Sequence, residues 1–369
     1  MANKKIVHYS LDNIDSKNAN FNLIYGERSN GKSYQVKHKK AVEKYLNTGR
    51  RFILLRRHKD EITTEKIERY FADVDIEKLT DGRYNCISCY RKELFLSRYD
   101  SEKCKTIRYD KIGYVIALVQ EQNYAGASFL DVDDIIFEEF MSRGTYLPDE
   151  PNKLMNLFCT VDRKRGTTRM WLVGNTISRV CPYLIDWELL DDIRKLEQGD
   201  IFIKEFIDKE YLDSDLKPIV MKIAVEHCKS TGVSSFTIGT HANMLSKGEW
   251  QTDPQPHLPH SIKEYALIFR FVFEFSGFRF LCDVLHYEYT NDIVFFIYPK
   301  YTEIKPKTLV ISDVVRQSIC WLRTPYAVHS FLNKKIERLL NYFAEDKIFF
   351  SSDMCGTDFK QAIDFEIRK

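Results

Sequence analysis

The sequence contains no apolar run long enough to cross a membrane, no internal repeat and no low-complexity tract. A membrane-spanning helix needs about 18 or more consecutive apolar residues, and none of the runs approaches that length. Basic and acidic residues almost balance, at 55 and 53, so the net charge is +2. This balance excludes a histone-like polycation but is compatible with a local surface that binds nucleic acid.

Cysteine is scattered, and its nine residues are odd in number. The first residues, MANKKIVHYSLDN, include no apolar core segment, so we expect no secretion leader and a reducing compartment with free thiols. One pair, Cys86 and Cys89, has the spacing of a zinc site, with Cys104 nearby. No second Cys-x-x-Cys pair and no obvious fourth ligand follow, so we favour free thiols over a metal site.

Short apolar runs alternate with polar, helix-like stretches over the first half of the chain. Residues 33–49 place apolar side chains on one face and end at Gly49, which predicts a helix. Strands that alternate with helices predict an α/β fold with a mostly parallel sheet covered on both faces. The predicted buried strands are residues 21–25, 52–55, 114–119, 134–137 and 170–174.

The pattern changes twice further along the chain. The middle stretch is charged, with apolar residues at helical spacing, and predicts a small helical linker. The last stretch has apolar runs broken at Ser276-Gly277 and Asn291-Asp292, which predicts an antiparallel meander, and a helix is predicted over residues 325–346. The predicted domains are an α/β domain over 1–190, a helical linker over 191–230 and an α+β domain over 231–369.

One glycine-rich stretch, GERSNGKS, follows the first predicted strand and opens the first predicted helix. Its spacing, Gly-x4-Gly-Lys-Ser, fits the phosphate-binding P-loop without a mismatch. Glycines let backbone N–H groups turn towards phosphate oxygens, and the start of the helix adds a positive dipole end. Lys32 would neutralise the β- and γ-phosphates, and the Ser33 hydroxyl would bind Mg²⁺. The alternative is a glycine turn that merely resembles this loop. The predicted nucleotide-binding residues are Gly26, Glu27, Arg28, Ser29, Asn30, Gly31, Lys32, Ser33 and Tyr34.

Two consecutive acids, Glu138 and Glu139, follow a predicted buried strand. Ligands bind at the carboxyl ends of strands in open α/β sheets, so we expect both acids beside the P-loop. One carboxylate would complete the Mg²⁺ shell, and the other would polarise the attacking water, which favours ATP hydrolysis. An ordinary acid pair at a strand end is the alternative interpretation.

Two further polar features flank the last predicted strand of this region. Asn175, at its end, would sense the γ-phosphate; alternatively, it caps a turn. One of Arg163, Lys164 and Arg165 would act as an arginine finger on the ATP of a neighbouring chain, or the three form a solvated basic loop. The basic stretch RRHK, residues 56–59, has the same two interpretations.

Taken in order, these motifs resemble those of the DNA packaging ATPases (encapsidation proteins) of small tailed bacteriophages of the phi-29 type. The first matching stretch is specific by itself, and the order and spacing of all of them are specific together. The resemblance implies a P-loop ATPase of the additional-strand, conserved-glutamate class. The stretches lie within about residues 20–190 and are GERSNGKSY, FILLRRHKDEI, IIFEEFM, LMNLFCTVDRKR and NTISRVCPYL.

The resemblance also implies partners, cofactors and residue roles. A homopentameric ring at the portal of an empty prohead would use ATP and Mg²⁺ to push double-stranded DNA inside, docked through a structural RNA where the phage encodes one. We expect the chain in the host cytoplasm and transiently on the prohead, away from membranes and absent from the mature virion. The implied roles are phosphate and Mg²⁺ binding by Lys32 and Ser33, a metal-associated acid at Glu138, a general base at Glu139, a trans-acting arginine at Arg163, and a basic motif near the nucleotide at Arg56 and Lys59.

One departure from the family pattern, and the acids of the last domain, limit what is implied. The family usually has Asp where Glu138 stands, which puts direct metal contact by this residue in question. The last domain resembles, in pattern alone, a ribonuclease-H-type nuclease fold that has lost its catalytic acids. Its available acids, Asp283, Glu288 and Asp292, do not have a spacing that compels a two-metal site. We therefore expect this domain to contact DNA, RNA or the portal rather than to cut DNA.

Two other classes of function remain open from the sequence. The same loop is used by helicases and by small-molecule kinases, although no Arg-rich lid of a kinase is identifiable. A non-catalytic scaffold that binds nucleotide in order to assemble is the third possibility.

Overall fold

The computed structural model of the protein contains two compact units. The helix predicted over residues 325–346 lies outside the residues that the structure describes. The described residues are 8–142, 146–212, 218–231, 248–290, 292–305, 308–312, 321–323 and 347–368. The first unit comprises residues 1–177, 192–237 and 243–249, and the second comprises 178–191, 238–242 and 250–369.

In the described part of the first unit, the strands form a single sheet. They are β1 (Phe21–Gly26), β2 (Arg51–Arg56), β3 (Cys86–Tyr90), β4 (Glu93–Asp100), β5 (Lys105–Ala117), β6 (Val132–Glu138), β7 (Arg169–Asn175), β8 (Ile201–Leu212) and β9 (Pro218–His227). Their order across the sheet is β3-β4-β5-β2-β6-β7-β1-β9-β8. The strands from β5 to β9 in this order run parallel, whereas β3, β4 and β8 pair antiparallel at the two edges.

The helices of the first unit cover the faces of this sheet. They are α1 (Asp12–Asp15), α2 (Lys32–Val36), α3 (Lys44–Thr48), α4 (Thr64–Phe71), α5 (Ile76–Leu79) and α6 (Glu150–Asp162). A π-helical segment, Lys37–Glu43, joins α2 to α3, so one continuous helix runs from Lys32 to Thr48. Short 3-10 helices lie at Lys59–Glu61 and Leu118–Tyr124.

The predicted α/β fold with a large, mostly parallel sheet is confirmed in this unit. All six residues of β1 are buried, as expected for a central strand covered on both faces. The five predicted strands and the first helix are present, and the helix ends at Gly49 in the left-handed conformation that glycine favours. The third predicted strand, residues 114–119, is shorter than expected. In the structure β5 ends at Ala117, and residues 118–119 belong to a 3-10 helix.

The predicted helical linker over 191–230 is wrong. Most of this stretch forms the hairpin of β8 and β9, and β9 pairs in parallel with β1. Its isoleucine, valine and phenylalanine residues favour strands, and the intervening lysines and glutamates fit the alternation of an edge hairpin with one wet face. Residues 192–230 therefore belong to the first unit and do not stand between two domains.

The second unit contains a mixed sheet, helix α7 (Pro182–Asp186) and a C-terminal helix, and α8 (Leu190–Ile193) is divided between the two units. Its strands are β10 (Tyr265–Phe275), β11 (Phe278–Tyr287), β12 (Ile293–Pro299), β13 (Val310–Ser312), β14 (Trp321–Arg323) and β15 (Ile348–Phe350), a 3-10 turn lies at Ile262–Glu264, and α9 is Asp353–Arg368. The order is β14-β13-β10-β11-β12-β15. The predicted antiparallel meander is confirmed as β10-β11-β12, and β13, β14 and β15 add parallel pairings on its two sides.

Candidate nucleotide site

The glycine-rich loop lies between the end of β1 and the start of α2, at the carboxyl edge of the parallel strands. Gly31 has a φ of 97°, a left-handed value that side chains with a Cβ avoid. A Cβ on Gly26 would lie 2.9 Å from the Cβ of Cys228, so no larger residue fits there without displacement. Both glycines of the motif are thus required by the backbone path that turns the loop around the start of the helix.

Residues that follow β9 support this loop from the side. The Glu27 carboxylate is buried and accepts hydrogen bonds from the Ser230 hydroxyl and the Thr231 backbone N–H, both at 2.7 Å. On the other side, the Tyr9 backbone N–H donates to the Asn30 carbonyl at 3.0 Å. These supporting contacts come from segments that are distant in sequence, and no local motif indicates them.

Lys32 directs a buried ammonium group into the loop. Its Nζ donates to the Glu27 carbonyl at 2.6 Å and to Asn175 Oδ1 at 2.9 Å. Burial lowers the pKa of Lys32, because the charged form has lost its hydration. A buried cation that faces neutral oxygens is a favourable place for phosphate oxygens, so the side chain fits a nucleotide. Asn175, at the end of β7, is thereby brought into this site.

Ser33 and Glu138 approach each other at the start of the helix. The Ser33 hydroxyl donates to Glu138 Oε2 at 3.1 Å, and the Tyr70 hydroxyl donates to Glu138 Oε1 at 2.6 Å. Burial raises the pKa of Glu138, and these two hydrogen bonds oppose that shift. Burial and the neighbouring Glu138 also raise the pKa of Tyr70, so its phenol remains a donor. A hydroxyl and a carboxylate at this separation form a hard-oxygen donor set of the kind that Mg²⁺ binds.

Glu139 stands next to this pair in an exposed position. Its side chain is 64% exposed, and its φ of 58° is unusual for a residue that is not glycine. Arg56 Nη2 lies 3.3 Å from Glu139 Oε2, and Arg56 Nε lies 2.8 Å from Glu61 Oε2. Glu139 faces an open pocket of about 610 Å³ beside the loop. The pocket is lined by Ser33, Lys37, Arg56, Arg69, Tyr70, Ala72, Asp73, Glu138 and Glu139.

Arg57, one of the basic residues of the RRHK stretch, fixes the backbone after β6. Its Nε lies 3.0 and 2.9 Å from the two carboxylate oxygens of Glu150 in a buried ion pair. Its two terminal nitrogens donate to the Glu139 carbonyl at 3.1 Å and the Phe140 carbonyl at 2.8 Å. The unusual backbone conformation of Glu139 is therefore supported by a guanidinium from the neighbouring strand end.

The basic group after α6 lies near the amino ends of the parallel strands, whereas the loop lies at their carboxyl ends. Arg163 ends α6 in a left-handed conformation, and its guanidinium donates to the Gly126 carbonyl at 3.1 Å and the Ala127 carbonyl at 2.7 Å. Arg165 donates to the Val132 carbonyl at 2.7 Å. Because β6 spans about 20 Å, Arg163 is separated by about that distance from the loop of its own chain. The structure does not bring Arg163 to the site formed by the other predicted residues.

The remaining predicted residues surround the loop at its exposed side. Arg28 and Ser29 are exposed, and Asn30 is buried, with its side-chain oxygen accepting from the Lys32 backbone N–H at 3.2 Å. Tyr34 is half-buried on the helix that follows. Lys59 is exposed in the 3-10 helix after β2, where no hydrogen bond or ion pair within the described residues connects it to the loop.

The zinc alternative does not fit the structure. Cys86 and Cys89 both lie on β3, where residues three apart point to opposite faces. Cys104 is exposed, and the eight cysteines in the described residues are free thiols. In the same part of the chain, no three His, Cys, Asp or Glu side chains are arranged to bind a metal ion. The three cysteines therefore do not form a metal site.

The acids of the second unit are separate features of its own sheet. Asp283 is buried and forms two hydrogen bonds with Arg270, at 2.5 and 2.7 Å, across the β10-β11 pair. The Tyr298 hydroxyl donates to the same carboxylate at 3.1 Å. Asp292 accepts from the Thr290 hydroxyl at the end of the β11-β12 connection. Asp283 thus serves as a cross-strand ion-pair partner.

In the part of the chain that the structure describes, no helix is long and apolar enough to cross a bilayer.

The sequence of this chain is similar to those of DNA packaging proteins of bacteriophages. A family profile described as podovirus DNA encapsidation protein (Gp16) matches residues 3–207. The DNA packaging protein of Bacillus phage phi29 is 29% identical over 199 residues, which cover 52% of this chain and 53% of that protein. The DNA packaging protein of Bacillus phage B103 is 31% identical over 182 residues, which cover 47% and 50%. The match thus spans about half the length of these curated relatives.

A similarity in fold extends over nearly the whole chain. A chain of the bacteriophage phi-29 viral genome packaging motor assembly superposes with a TM-score of 0.59 over 98% of both chains. Sequence identity in that superposition is 19%, so the comparison concerns the fold alone.

Proposed function

The chain belongs to the family of podovirus DNA encapsidation proteins, and from that premise we propose that it is an ATP-driven motor that moves double-stranded viral DNA into a prohead. One observation carries the proposal. The buried ammonium of Lys32, the Ser33–Glu138 pair and the exposed Glu139 all lie at the carboxyl edge of one parallel sheet. That edge is where open α/β sheets bind their ligands.

The order of the strands supports an ATPase of the additional-strand, conserved-glutamate class. The loop strand β1 and the acidic strand β6 are not neighbours, because β7 lies between them and pairs with both. The inserted strand ends at Asn175, whose side chain contacts Lys32. This position suits a residue that senses the γ-phosphate, and we assign that role to Asn175.

The residues divide the chemistry of hydrolysis among them. Lys32 and the loop backbone bind and orient the phosphates of ATP, and Ser33 and Glu138 would bind Mg²⁺. Mg²⁺, when bound, neutralises charge on the β- and γ-phosphates. Glu139 orients the attacking water and accepts its proton, and its exposure leaves room for that water. Arg56 lies against Glu139 and limits where its carboxylate can point.

We infer further that the working form is a homo-oligomeric ring, a pentamer by family resemblance. Arg163 lies at the edge of the sheet opposite the loop, so any contact it makes with ATP is with the ATP of a neighbouring copy. DNA contacts would be made mainly to phosphates, independent of sequence and weakened by salt. The proposed partners are the portal, the DNA and a structural RNA where one is encoded, in the host cytoplasm and transiently on the prohead.

The second unit is proposed to be a nuclease-like domain without nuclease activity. Three consecutive antiparallel strands, with two parallel strands added beside the first, fit a ribonuclease-H-type fold. Asp283 is already engaged by Arg270 and Tyr298, which makes it a poor metal ligand. We propose that this unit contacts DNA, RNA or the portal instead.

Two variants separate this proposal from the helicase, kinase and scaffold alternatives. Lys32→Ala should lose ATP binding, because the phosphates lose their buried cation. Glu139→Gln should bind ATP but hydrolyse it at least about 100-fold more slowly, since the general base is lost. The measurement is ATP turnover by the full chain with purified proheads and blunt duplex DNA, with and without ribonuclease treatment.

Each alternative predicts a different result in that assay. Wild-type protein that binds ATP but never hydrolyses it, even with DNA and proheads, would favour the scaffold. Strand separation of a duplex with an overhang would favour a helicase. Transfer of phosphate to a small metabolite instead of water would favour a kinase.

A further inference from the structure

Four residues form a continuous chain of contacts beside the proposed Mg²⁺ site. Ser33 and Lys37 lie one turn apart on the helix that follows the loop, so they share one face. Ser33 contacts Glu138, and Glu138 accepts from Tyr70. Lys37 Nζ donates to the Tyr70 carbonyl at 2.6 Å and lies 4.5 Å from the centre of the Tyr70 ring. Helix α4 is thereby connected to both the loop helix and the acidic strand.

A second contact fixes this arrangement from below. Lys37 Nζ lies 2.5 Å from Asp73 Oδ1, and the Lys37 side chain is 6% exposed. The ammonium group therefore has a defined position between the Tyr70 ring and the Asp73 carboxylate. Because the ring cannot rotate away without losing the cation, the direction of the Tyr70 hydroxyl is restricted.

We propose that Tyr70 is a positioning residue for the proposed Mg²⁺ site: its hydroxyl holds one oxygen of Glu138 so that the other oxygen stays beside Ser33. The two carboxylate oxygens are in fact divided in this way, with Oε1 accepting from Tyr70 and Oε2 from Ser33. The inference rests on the proposed function, since it concerns the same site.

The length of the Glu138 side chain explains why its carboxylate benefits from a positioning residue. Glutamate has one more rotatable bond than aspartate, so its carboxylate occupies more positions relative to the strand end. Ordering a flexible side chain costs conformational entropy when the metal binds. A hydrogen bond from a partly buried phenol, made before the metal arrives, removes much of that cost from the binding step. Tyr70 thus offsets the flexibility of the longer glutamate side chain at this position.

The test is the Mg²⁺ dependence of nucleotide affinity, measured with a non-hydrolysable ATP analogue on the full chain. For Tyr70→Phe, we expect the Kd measured with Mg²⁺ to rise about tenfold, as for the loss of a hydrogen bond to a charged group. The Kd measured with a metal chelator should stay at the wild-type value. The matched control is Tyr84→Phe, which removes an exposed hydroxyl bonded to Asp110 away from the site. Tyr84→Phe should change neither Kd.

A double-mutant comparison identifies the partner. In a Glu138→Gln background, Tyr70→Phe should add less than about twofold to the Kd with Mg²⁺, because the carboxylate that it orients is gone. Lys37→Met, which leaves the hydroxyl in place but frees the ring, should produce a smaller loss in the same direction. This variant also provides the test if Tyr70→Phe does not fold.

The possible results are distinct. Equal weakening with and without Mg²⁺ would mean a general structural role and would overturn the inference, as would no weakening at all. An unchanged effect of Tyr70→Phe in the Glu138→Gln background would also overturn it. Wild-type protein that binds the analogue with Mg²⁺ but does not move DNA would refute the proposed function and leave the role of Tyr70 intact. Wild-type protein without nucleotide affinity would refute both.

Discussion

At the scale of single residues, Arg57 connects two separate segments beside the site. It joins a buried carboxylate on α6 to two carbonyls of the segment after β6. A buried ion pair contributes little net stability when intact, but removal of one partner leaves a charge in a poor environment. Arg57 therefore links the stability of the unit to the placement of Glu139.

For Arg57→Met, we expect the free energy of unfolding to fall by about 3–5 kcal/mol, because Glu150 loses its guanidinium while it remains buried. Denaturant titration measures this loss. Arg98→Met, which removes an exposed guanidinium bonded to the Gly82 carbonyl, should stay within about 0.5 kcal/mol of wild type. Replacing both Arg57 and Glu150 with Met should recover much of the loss. Equal effects of Arg57→Met and Arg98→Met would contradict this account.

Residues with a local motif were accessible from the sequence, and their supporting residues were not. The spacing of Lys32 and Ser33 is set by the turn that wraps phosphate, so it is visible in eight consecutive letters. Tyr70 and Arg57 act through partners 68 and 93 positions away. Such pairs depend on how helices and strands pack, and a single sequence contains no periodic signal for them.

At the scale of elements, β9 has the most unexpected role. It pairs with β1, and the residues after it contact the side of the glycine-rich loop through Glu27. The charges of this segment and the helical spacing of its apolar residues predict a helix, whereas its isoleucines and valines favour a strand. Charge density describes exposure at the edge of a sheet as well as it describes a solvated helix, so composition alone could not decide.

Because β9 supports the loop, a change just after this strand should affect nucleotide binding. In Ser230→Ala, the Glu27 carboxylate loses one of its two donors beside the loop. We expect about 1 kcal/mol of lost loop stabilisation, seen as an approximately fivefold weaker Kd for ATP with and without Mg²⁺. Ser16→Ala, which removes an exposed hydroxyl bonded to the Asn13 carbonyl, is the control. An unchanged Kd in Ser230→Ala would exclude a supporting role for β9.

At the scale of the whole molecule, the carboxyl ends and the amino ends of the parallel strands carry different predicted site residues. The carboxyl edge contains the loop and both glutamates, and the opposite edge contains Arg163. If Arg163 acts in trans as proposed, each copy presents one half of the site at each end of the strands, and head-to-tail association closes into a ring when the rotation between copies permits. The sequence predicts both groups, and the crossover from β6 through α6 to the parallel strand β7 accounts for their separation, because it returns the chain to the amino ends of the strands.

Mixed assemblies test whether the halves meet between copies. Glu139→Gln and Arg163→Ala chains should each be inactive alone. Mixed in equal amounts, they should recover roughly a quarter of wild-type ATP turnover, since about one interface in four pairs both intact groups. The measurement is the steady-state rate with proheads and DNA. Mixtures as inactive as their parents, in assemblies shown to form, would refute action in trans.

If Arg163 acts in trans as proposed, its separation from the loop of its own chain determines when ATP is hydrolysed. With action in trans, a solitary chain is catalytically incomplete, and turnover increases more steeply than in proportion to the number of copies. Dispersed chains would leave ATP intact, and hydrolysis would begin where copies assemble. The distance between the two ends of the strands would then make hydrolysis depend on assembly, with no need for a separate inhibitor.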